Sequence, residues 1–176
     1  MKTELYASHS ELIQMKEIII PKENAVFWLD GNGAWHNVHG RFRNRKIIGH
    51  FHASIEKDEG GYYVTQINCD RREKVYFRYE DTALFVTDLK EGEPPTLILN
   101  TKKEMALRPD ALVVRDDSLY LYDGDDRIKF SERVLFRIAD MIEFEDEQYF
   151  IRIGGRRYEI GSQAAPPESP GEKKGT

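Results

Sequence analysis

The pattern of apolar and polar residues predicts two amphipathic helices, each flanked by aromatic strands. Asn44 stands where the N-cap of the first helix is expected, and Ser131 stands at the matching place before the second. Behind each cap, apolar residues recur at the spacing of one helical face. These residues are Ile47, Ile48, Phe51 and Ile55 in the first helix and Val134, Leu135, Ile138 and Ile142 in the second. We expect both faces to enter a hydrophobic core.

The two helices lie in longer stretches that share one plan, Asp30 to Val64 and Asp117 to Ile151. Each stretch has a tight turn, an aromatic strand, a polar turn, the helix, a second polar turn and another aromatic strand. Few residues are identical, so the prediction depends on the cap, the helix face, the turns and the strands agreeing in one register. The alternative is two independent strand-helix-strand units. We predict an α+β fold of two structurally similar lobes, an internal repeat in which each lobe has an antiparallel sheet and one helix.

Turn residues and short apolar runs predict the remaining elements and the domain boundaries. Asp30-Gly31-Asn32-Gly33 is typical of a hairpin turn between a strand at Phe27-Trp28 and one at Trp35 to Val38. Further strands are predicted at 62–64, 74–79, 83–87, 96–99, 105–107, 112–115, 119–122 and 149–151, with a last hairpin at 154–155. The predicted organisation is a lead-in at 1–24 with one short helix through Leu5, Leu12, Ile13, Lys16 and Glu17, lobes at 25–81 and 82–161, and a disordered tail at 162–176.

Composition narrows the classes of function. The chain has 176 residues, a formal net charge of -5 and one cysteine, Cys69. The negative balance disfavours nucleic acid or an anionic membrane as partners. A single cysteine excludes an internal disulfide, and no apolar run approaches the length of a spanning helix. We therefore expect a cytoplasmic protein, with its aromatic strands serving the core and not RNA binding.

Several short motifs resemble one bacterial family. These are Asp30-Gly31, Gly33-x-Trp35, Gly40, Ile47-Ile48-x-x-Phe51, Asp58 with Gly60-Gly61-Tyr62, Glu73-Lys74-Val75, Glu80 to Val86 and Arg133-Val134-Leu135-Phe136. The chain resembles the domain-of-unknown-function family 1285 from about Phe27 to Ile160, and it departs from that pattern between Gln66 and Arg72. The resemblance implies two α+β parts built from repeated motifs and a regulatory or signal-transduction role. It brings no catalytic residues.

Four histidines close together in the sequence raise the question of a metal site. His36, His39, His50 and His52 could in principle ligate zinc. However, His50 and His52 lie on nearly opposite sides of a helix, and no cysteine or carboxylate pattern completes a site. We expect polar surface or half-buried structural roles for them and no bound metal. The acidic turn Asp123 to Asp126 also lacks the glycine and glutamate of a calcium loop.

A cluster of cations at the entry to the first helix is the candidate ligand site. Arg41, Arg43, Arg45 and Lys46 stand where free backbone amides and the helix dipole already favour an anion. Arginine also recognises phosphate and carboxylate in a bidentate manner. The alternative is a solvated loop paired with nearby carboxylates. The matching turn in the second stretch carries aspartates instead.

No catalytic signature is present, and no cofactor is expected. The chain lacks a third glycine after Gly31-Asn32-Gly33 for a dinucleotide fold, and it has no Walker A or nucleophile-elbow motif. The sequence therefore favours a non-enzymatic protein that senses a small anionic ligand. Two alternatives are a metal-dependent hydrolase using His36 and His39, and an adaptor whose partner is another protein.

Overall fold

The computed structural model describes residues 16–68 and 70–162 of the chain. Within these residues it has a mixed α+β fold in which strands predominate over two helices. The helices are α1 (Arg45–Ala53) and α2 (Glu132–Ile138). Three 3-10 turns occur at Lys22–Asn24, Pro109–Ala111 and Ala139–Met141. The predicted helix before Lys16, the surroundings of Cys69 and the predicted tail after Ser162 lie outside the described residues.

The strands of the first part of the chain are β1 (Lys16–Ile20), β2 (Phe27–Leu29), β3 (Trp35–Asn37), β4 (Gly40–Arg41), β5 (Ile55–Asp58), β6 (Gly61–Asn68), β7 (Arg71–Tyr76) and β8 (Arg78–Tyr79). Those of the second part are β9 (Leu84–Lys90), β10 (Thr96–Leu99), β11 (Glu104–Ala106), β12 (Leu112–Arg115), β13 (Ser118–Asp123), β14 (Asp126–Phe130), β15 (Ile142–Glu145), β16 (Gln148–Ile153), β17 (Arg156–Glu159) and β18 (Gly161–Ser162).

The chain divides into two compact units. Among the described residues, the first unit comprises 16–68, 70–83 and 100–102, and the second comprises 84–99 and 103–162. The first unit contains a sheet of order β4-β3-β2-β8 and a sheet of order β1-β7-β6-β5. The second contains the seven-stranded order β11-β10-β9-β14-β13-β12-β18 and the three-stranded order β15-β16-β17.

Trp35 forms the centre of the aromatic core of the first unit. Its side chain is 1% exposed, and its ring meets those of Phe27, Phe51 and Phe77 at centroid distances of 5.6, 5.3 and 4.8 Å. All three pairs have edge-to-face geometry, which the ring quadrupoles favour. Phe27 of β2 and Trp35 of β3 are therefore core residues, as predicted, whereas Phe51 of α1 is only half-buried beside them.

The hairpin turn predicted at Asp30 to Gly33 is present between β2 and β3. Asp30 Oδ1 accepts from the backbone N–H groups of Asn32 and Ala34, each at 2.9 Å. Gly33 has a φ of 81°, a left-handed conformation that glycine adopts without strain. The returning strand ends at Asn37, however, and Val38 is 82% exposed in the next turn, so its predicted place in the strand is wrong.

Helix α1 begins as predicted but buries less than expected. Asn44 is its N-cap, and the Asn44 side chain accepts from the N–H groups of Lys46 and Ile47. None of the helical residues is fully buried, and Ile47 is 46% exposed. Ile55 is buried but belongs to β5, since the helix ends at Ala53. The expected core-facing helix side is therefore only partly covered in this unit.

In the second unit, helix α2 has fully buried residues, whereas α1 has none. Val134 and Ile138 are both 0% exposed, and Ser131 is the N-cap, although its hydroxyl has no hydrogen-bond partner. The helix packs against β9, a strand that pairs in parallel with β14. Ile142 begins β15 and does not extend the helix.

Several sequence-based boundaries require correction. The sequence predicts that the first helix ends at the polar turn Asp58 to Gly61, but the helix ends at Ala53 and this segment connects β5 to β6 as a hairpin. The strand predicted at 74–79 is two strands in different sheets, β7 and β8, and Tyr79 is 42% exposed. Lys16 and Glu17 lie in β1, paired in parallel with β7, and not in a helix. None of the helices in the described ranges is long and apolar enough to cross a membrane.

Candidate ligand-binding site

A cavity of about 570 Å³ lies beside β4 and the start of α1 in the first unit. The hairpin of β3 and β4 supplies one wall, and the first two turns of the helix supply the other. The residues that line it are Asn37, His39, Gly40, Arg41, Phe42, Arg43, Asn44, Ile47 and Phe51. Gly40 has a φ of 111°, so the turn into β4 requires a residue without a Cβ.

The inner lining of this cavity is apolar. The rings of Phe42 and Phe51 meet edge-to-face at 5.3 Å, and Ile47 lies one helical turn before Phe51. Ile47 leaves 46% of its surface exposed, which is unusual for an isoleucine on the apolar side of a helix. An apolar ligand group that covers these side chains would remove unfavourable contact with water.

The structure separates the four predicted cations into two pairs. Arg41 and Arg43 line the cavity, whereas Arg45 and Lys46 are the first residues of α1 and lie outside its lining. All four are exposed. Within residues 16–68 and 70–162, none of the four has an ion pair with a carboxylate. Among the described residues, nothing neutralises these positive charges.

Some of the backbone N–H groups at the start of α1 already donate hydrogen bonds within the protein. Asn44 Oδ1 accepts from Lys46 N at 3.0 Å and from Ile47 N at 3.2 Å. The N–H of Ile48 donates to Asn44 O at 2.9 Å, as the first regular helical bond. A ligand at this place would thus depend more on the guanidinium groups than on free amides.

Two of the four histidines hold the Asp30 to Gly33 turn. His36 Nε2 lies 2.7 Å from Asp30 Oδ2, and His52 Nε2 donates to Gly33 O at 3.1 Å. Burial lowers the pKa of His52, and the nearby Lys102 charge acts in the same direction, although the bond to Gly33 O opposes them. His39 lines the cavity and His50 is exposed. Among the described residues no group of three or more metal-binding side chains occurs.

The pKa of Asp30 reflects its role in the turn. Partial burial by itself raises the pKa of this carboxyl group. The hydrogen bonds from Ala34 N–H, the His36 ring and Asn32 N–H outweigh burial and leave the pKa below the ordinary value of an aspartate. Asp30 is therefore an ionised structural acceptor at neutral pH.

A second polar cluster lies on the β5-β6-β7 sheet. Asp58 forms an ion pair with Lys74 and accepts from Tyr76 Oη at 2.9 Å. The bond with Lys74, followed by those from Tyr76 and Gly60, lowers the pKa of Asp58, and the same ion pair raises the pKa of Lys74. Lys74 Nζ also lies 4.2 Å from the centroid of the Tyr63 ring. These side chains meet one another's hydrogen-bonding and charge requirements, so the cluster stabilises the sheet.

Sequence reasoning missed the apolar half of the cavity. It assigned Ile47 and Phe51 to a core-facing helix side, because periodicity shows which residues share a face but not what covers that face. The alternation of cations and an aromatic residue in Arg41-Phe42-Arg43 was the available signal, since such alternation is typical of a strand with one apolar side.

The fold is similar to solved structures. No protein-family model matches the sequence, and no curated protein matches it. A DUF1285 family protein from Silicibacter pomeroyi superposes with a TM-score of 0.55 at 14% identity, covering 84% of this chain and 83% of that one. The chain has the DUF1285 fold. The resemblance seen in the sequence is thereby confirmed at the level of the fold. A DUF1285 family protein from Shewanella baltica gives a TM-score of 0.47 at 16% identity, over 68% of this chain and 94% of that one.

Proposed function

We propose that this protein is a non-enzymatic ligand-sensing or regulatory protein, with a role in signal transduction. Its ligand carries a carboxylate or phosphate beside an apolar group and occupies the cavity next to β4. The observation that carries the proposal is the pairing of Arg41 and Arg43 with an apolar lining in one cavity. Ligand sites commonly combine an apolar wall with a few polar groups that fix orientation.

The charges around the cavity support an anionic ligand. Arg41 and Arg43 have no carboxylate partner among the described residues, and the nearby Arg45 and Lys46 increase the positive potential. A guanidinium group can hold a carboxylate or phosphate through two parallel hydrogen bonds. The apolar part of the ligand would lie on Phe42, Ile47 and Phe51, where it would cover the exposed isoleucine.

We further infer that the two units are copies of one structural plan, as the sequence predicts. The order hairpin, helix, hairpin occurs in both: β3-β4-α1-β5-β6 in the first unit and β13-β14-α2-β15-β16 in the second. In both, a later short strand returns to pair in parallel with the strand before the first hairpin, β8 with β2 and β18 with β12. The repeat matters for function because the two copies differ at this turn: Arg41 and Arg43 line the cavity beside β4 in the first copy, whereas the matching turn of the second copy carries Asp123, Asp125 and Asp126.

Thermal-shift and calorimetric titrations with phosphate, citrate and a sugar phosphate test the ligand proposal. We expect at least one of these anions to raise the melting temperature of the wild-type chain. The Arg41→Ala/Arg43→Ala variant should lose that effect, since removing charged hydrogen-bond donors typically costs a ligand about tenfold or more in affinity.

Two matched controls make the test specific. Arg72→Ala removes an exposed cation of β7 that is not part of the cavity lining, and it should leave the anion effect unchanged. Arg45→Ala/Lys46→Ala removes the two cations outside the lining and should weaken binding only slightly. If the double variant at 41 and 43 binds the anion as well as wild type does, the cavity is not the site.

A further inference from the structure

The outer edge of β4 is open in the first unit. The sheet order ends at β4 within the described residues. The N–H of Phe42 donates to Trp35 O at 2.8 Å, so this pair is a hydrogen-bonded position of the β3-β4 ladder. The adjacent pair, His36 and Arg41, is then a non-hydrogen-bonded position. The backbone N–H and C=O of Arg41 therefore point away from β3, as they must for another strand to pair there.

In the second unit, the strand edge that corresponds to the open edge of β4 is paired with another strand. The hairpins of β3-β4 and β13-β14 both have two-residue loops, so β14 corresponds to β4. Strand β9 pairs in parallel with β14, with Ile128 opposite Leu84 and Phe130 opposite Val86. The N–H of Ser131 extends this pairing by donating to Val86 O at 3.0 Å. A strand parallel to β4 thus has a counterpart in the same molecule.

Strand β9 also explains why α2 has two buried residues and α1 has none. Val134 and Ile138, the third and seventh residues after the N-cap, are 0% exposed beneath β9. Ile47 and Phe51 hold those positions in α1, and both line the cavity. The cavity is therefore the space that a strand equivalent to β9 would fill.

The charges of β9 indicate the chemistry of the missing strand. Its apolar residues Leu84 to Val86 are followed by Asp88, which forms an ion pair with Arg137 and lies 3.8 Å from Arg133. The matching positions in α1 hold His50 and Lys46, and Arg41 and Arg43 add two cations at the strand edge. The first unit thus retains the basic side of this contact without an acidic partner among the described residues.

We propose that the cavity accepts an extended segment of another polypeptide, paired in parallel with β4. Apolar side chains of the segment pack on Phe42, Ile47 and Phe51, and a following acidic residue pairs with the cations. The inference rests on the proposed function, because the segment's carboxylate is the anion at the same cavity. Main-chain hydrogen bonds supply affinity, and the side-chain sites supply specificity, as in other cases of strand addition.

A labelled peptide with the sequence of residues 84–90, LFVTDLK, is the probe. We expect saturable binding to the full chain by fluorescence anisotropy. A peptide with Val86→Pro lacks the N–H that faces β4 and should bind at least about tenfold more weakly, as should one with Asp88→Lys. In the complex, the Arg43 amide should exchange with solvent more slowly by nuclear magnetic resonance, because Arg43 corresponds to Lys129, which lies beside β9 in the second unit.

Protein variants test the apolar part of the cavity. Ile47→Glu places a charge where the segment packs and should reduce peptide affinity at least about tenfold. Ile67→Glu is the matched control, because Ile67 is 61% exposed on β6 and lies outside the lining. If Ile47→Glu does not fold, the proline peptide with wild-type protein decides the question.

The outcomes separate this inference from the proposed function. Equal binding of the LFVTDLK and proline peptides, or no peptide binding, overturns the strand-pairing inference. If citrate or phosphate still binds through Arg41 and Arg43 in that case, the proposed function stands alone. A dimer of the free chain that Ile47→Glu dissociates identifies a second copy as the occupant and overturns the choice of a different polypeptide.

Discussion

Gly60 shows how one residue without a side chain can hold a polar cluster together. A Cβ at this position would lie 2.8 Å from both Cε1 and Oη of Tyr76, closer than real atoms approach. Tyr76 Oη in turn donates to Asp58, whose Oδ1 also accepts from Gly60 N at 2.8 Å. The glycine is therefore required by packing against Tyr76 and not by an unusual φ.

We predict that Gly60→Ala destabilises the protein by about 1 kcal/mol, because the tyrosine ring must move away from its partner. The free energy of unfolding in urea measures the effect. Gly49→Ala is the control, since an added Cβ at this helical glycine meets open space. That change should stabilise α1 by about 0.5 kcal/mol. A Gly60→Ala protein as stable as wild type would contradict the packing argument.

His52 makes the stability of the folded protein depend on pH. Its pKa in the folded protein lies below the value of 6.5 expected in the unfolded chain, chiefly because the ring is buried. As the pH falls through 6.5, the unfolded chain binds a proton more readily than the folded protein does, so stability decreases. The contribution is fully present above that pH.

We predict that the loss of melting temperature between pH 7.5 and pH 5.5 is smaller in His52→Gln than in wild type. Glutamine retains an N–H donor for Gly33 O but does not titrate. Differential scanning calorimetry across the pH series measures this, with the exposed His50→Gln as control. A His52→Gln profile parallel to that of wild type would exclude this histidine as the source.

At the scale of elements, the two helices differ in how the backbone N–H groups of their first turn are capped. Asn44 caps two amides of α1, whereas the Ser131 hydroxyl at the start of α2 is buried without a partner. Helix α2 depends instead on burial of Val134 and Ile138. The less buried helix thus has the better cap.

We therefore predict that Asn44→Ala destabilises the protein by about 1 kcal/mol, and that Ser131→Ala changes stability by less than about 0.5 kcal/mol. Chemical denaturation followed by circular dichroism gives both values under the same conditions. Equal losses from the two changes would show that the caps contribute alike, against the structure.

At the scale of the whole molecule, the sequence predicted the mixed α+β fold and several elements accurately. The cap Asn44 placed the start of α1, and strands β10 and β12 have the predicted bounds. These elements have strong local signals, either a capping side chain or a run of apolar residues between turns. The two lobes and their predicted limits remain predictions.

The sequence could not place the short or context-dependent elements. Strands β4 and β8 have two residues each, which is too short for a periodic signal. Strand β14 was missed because it begins within the acidic turn and has only two apolar residues, Ile128 and Phe130. The candidate cations were found, but the cavity was not, because its existence depends on the strand that α1 lacks.

The cations along β4 also bear on how the protein behaves when it is concentrated. Two copies that met edge to edge at β4 would bring Arg41, Arg43, Arg45 and Lys46 of each chain together, and like charges at such short range repel. The same side chains that attract an acidic partner thus discourage self-association at an open sheet edge. Because salt screens this repulsion, raising the ionic strength should increase self-association while it weakens the recognition of anions.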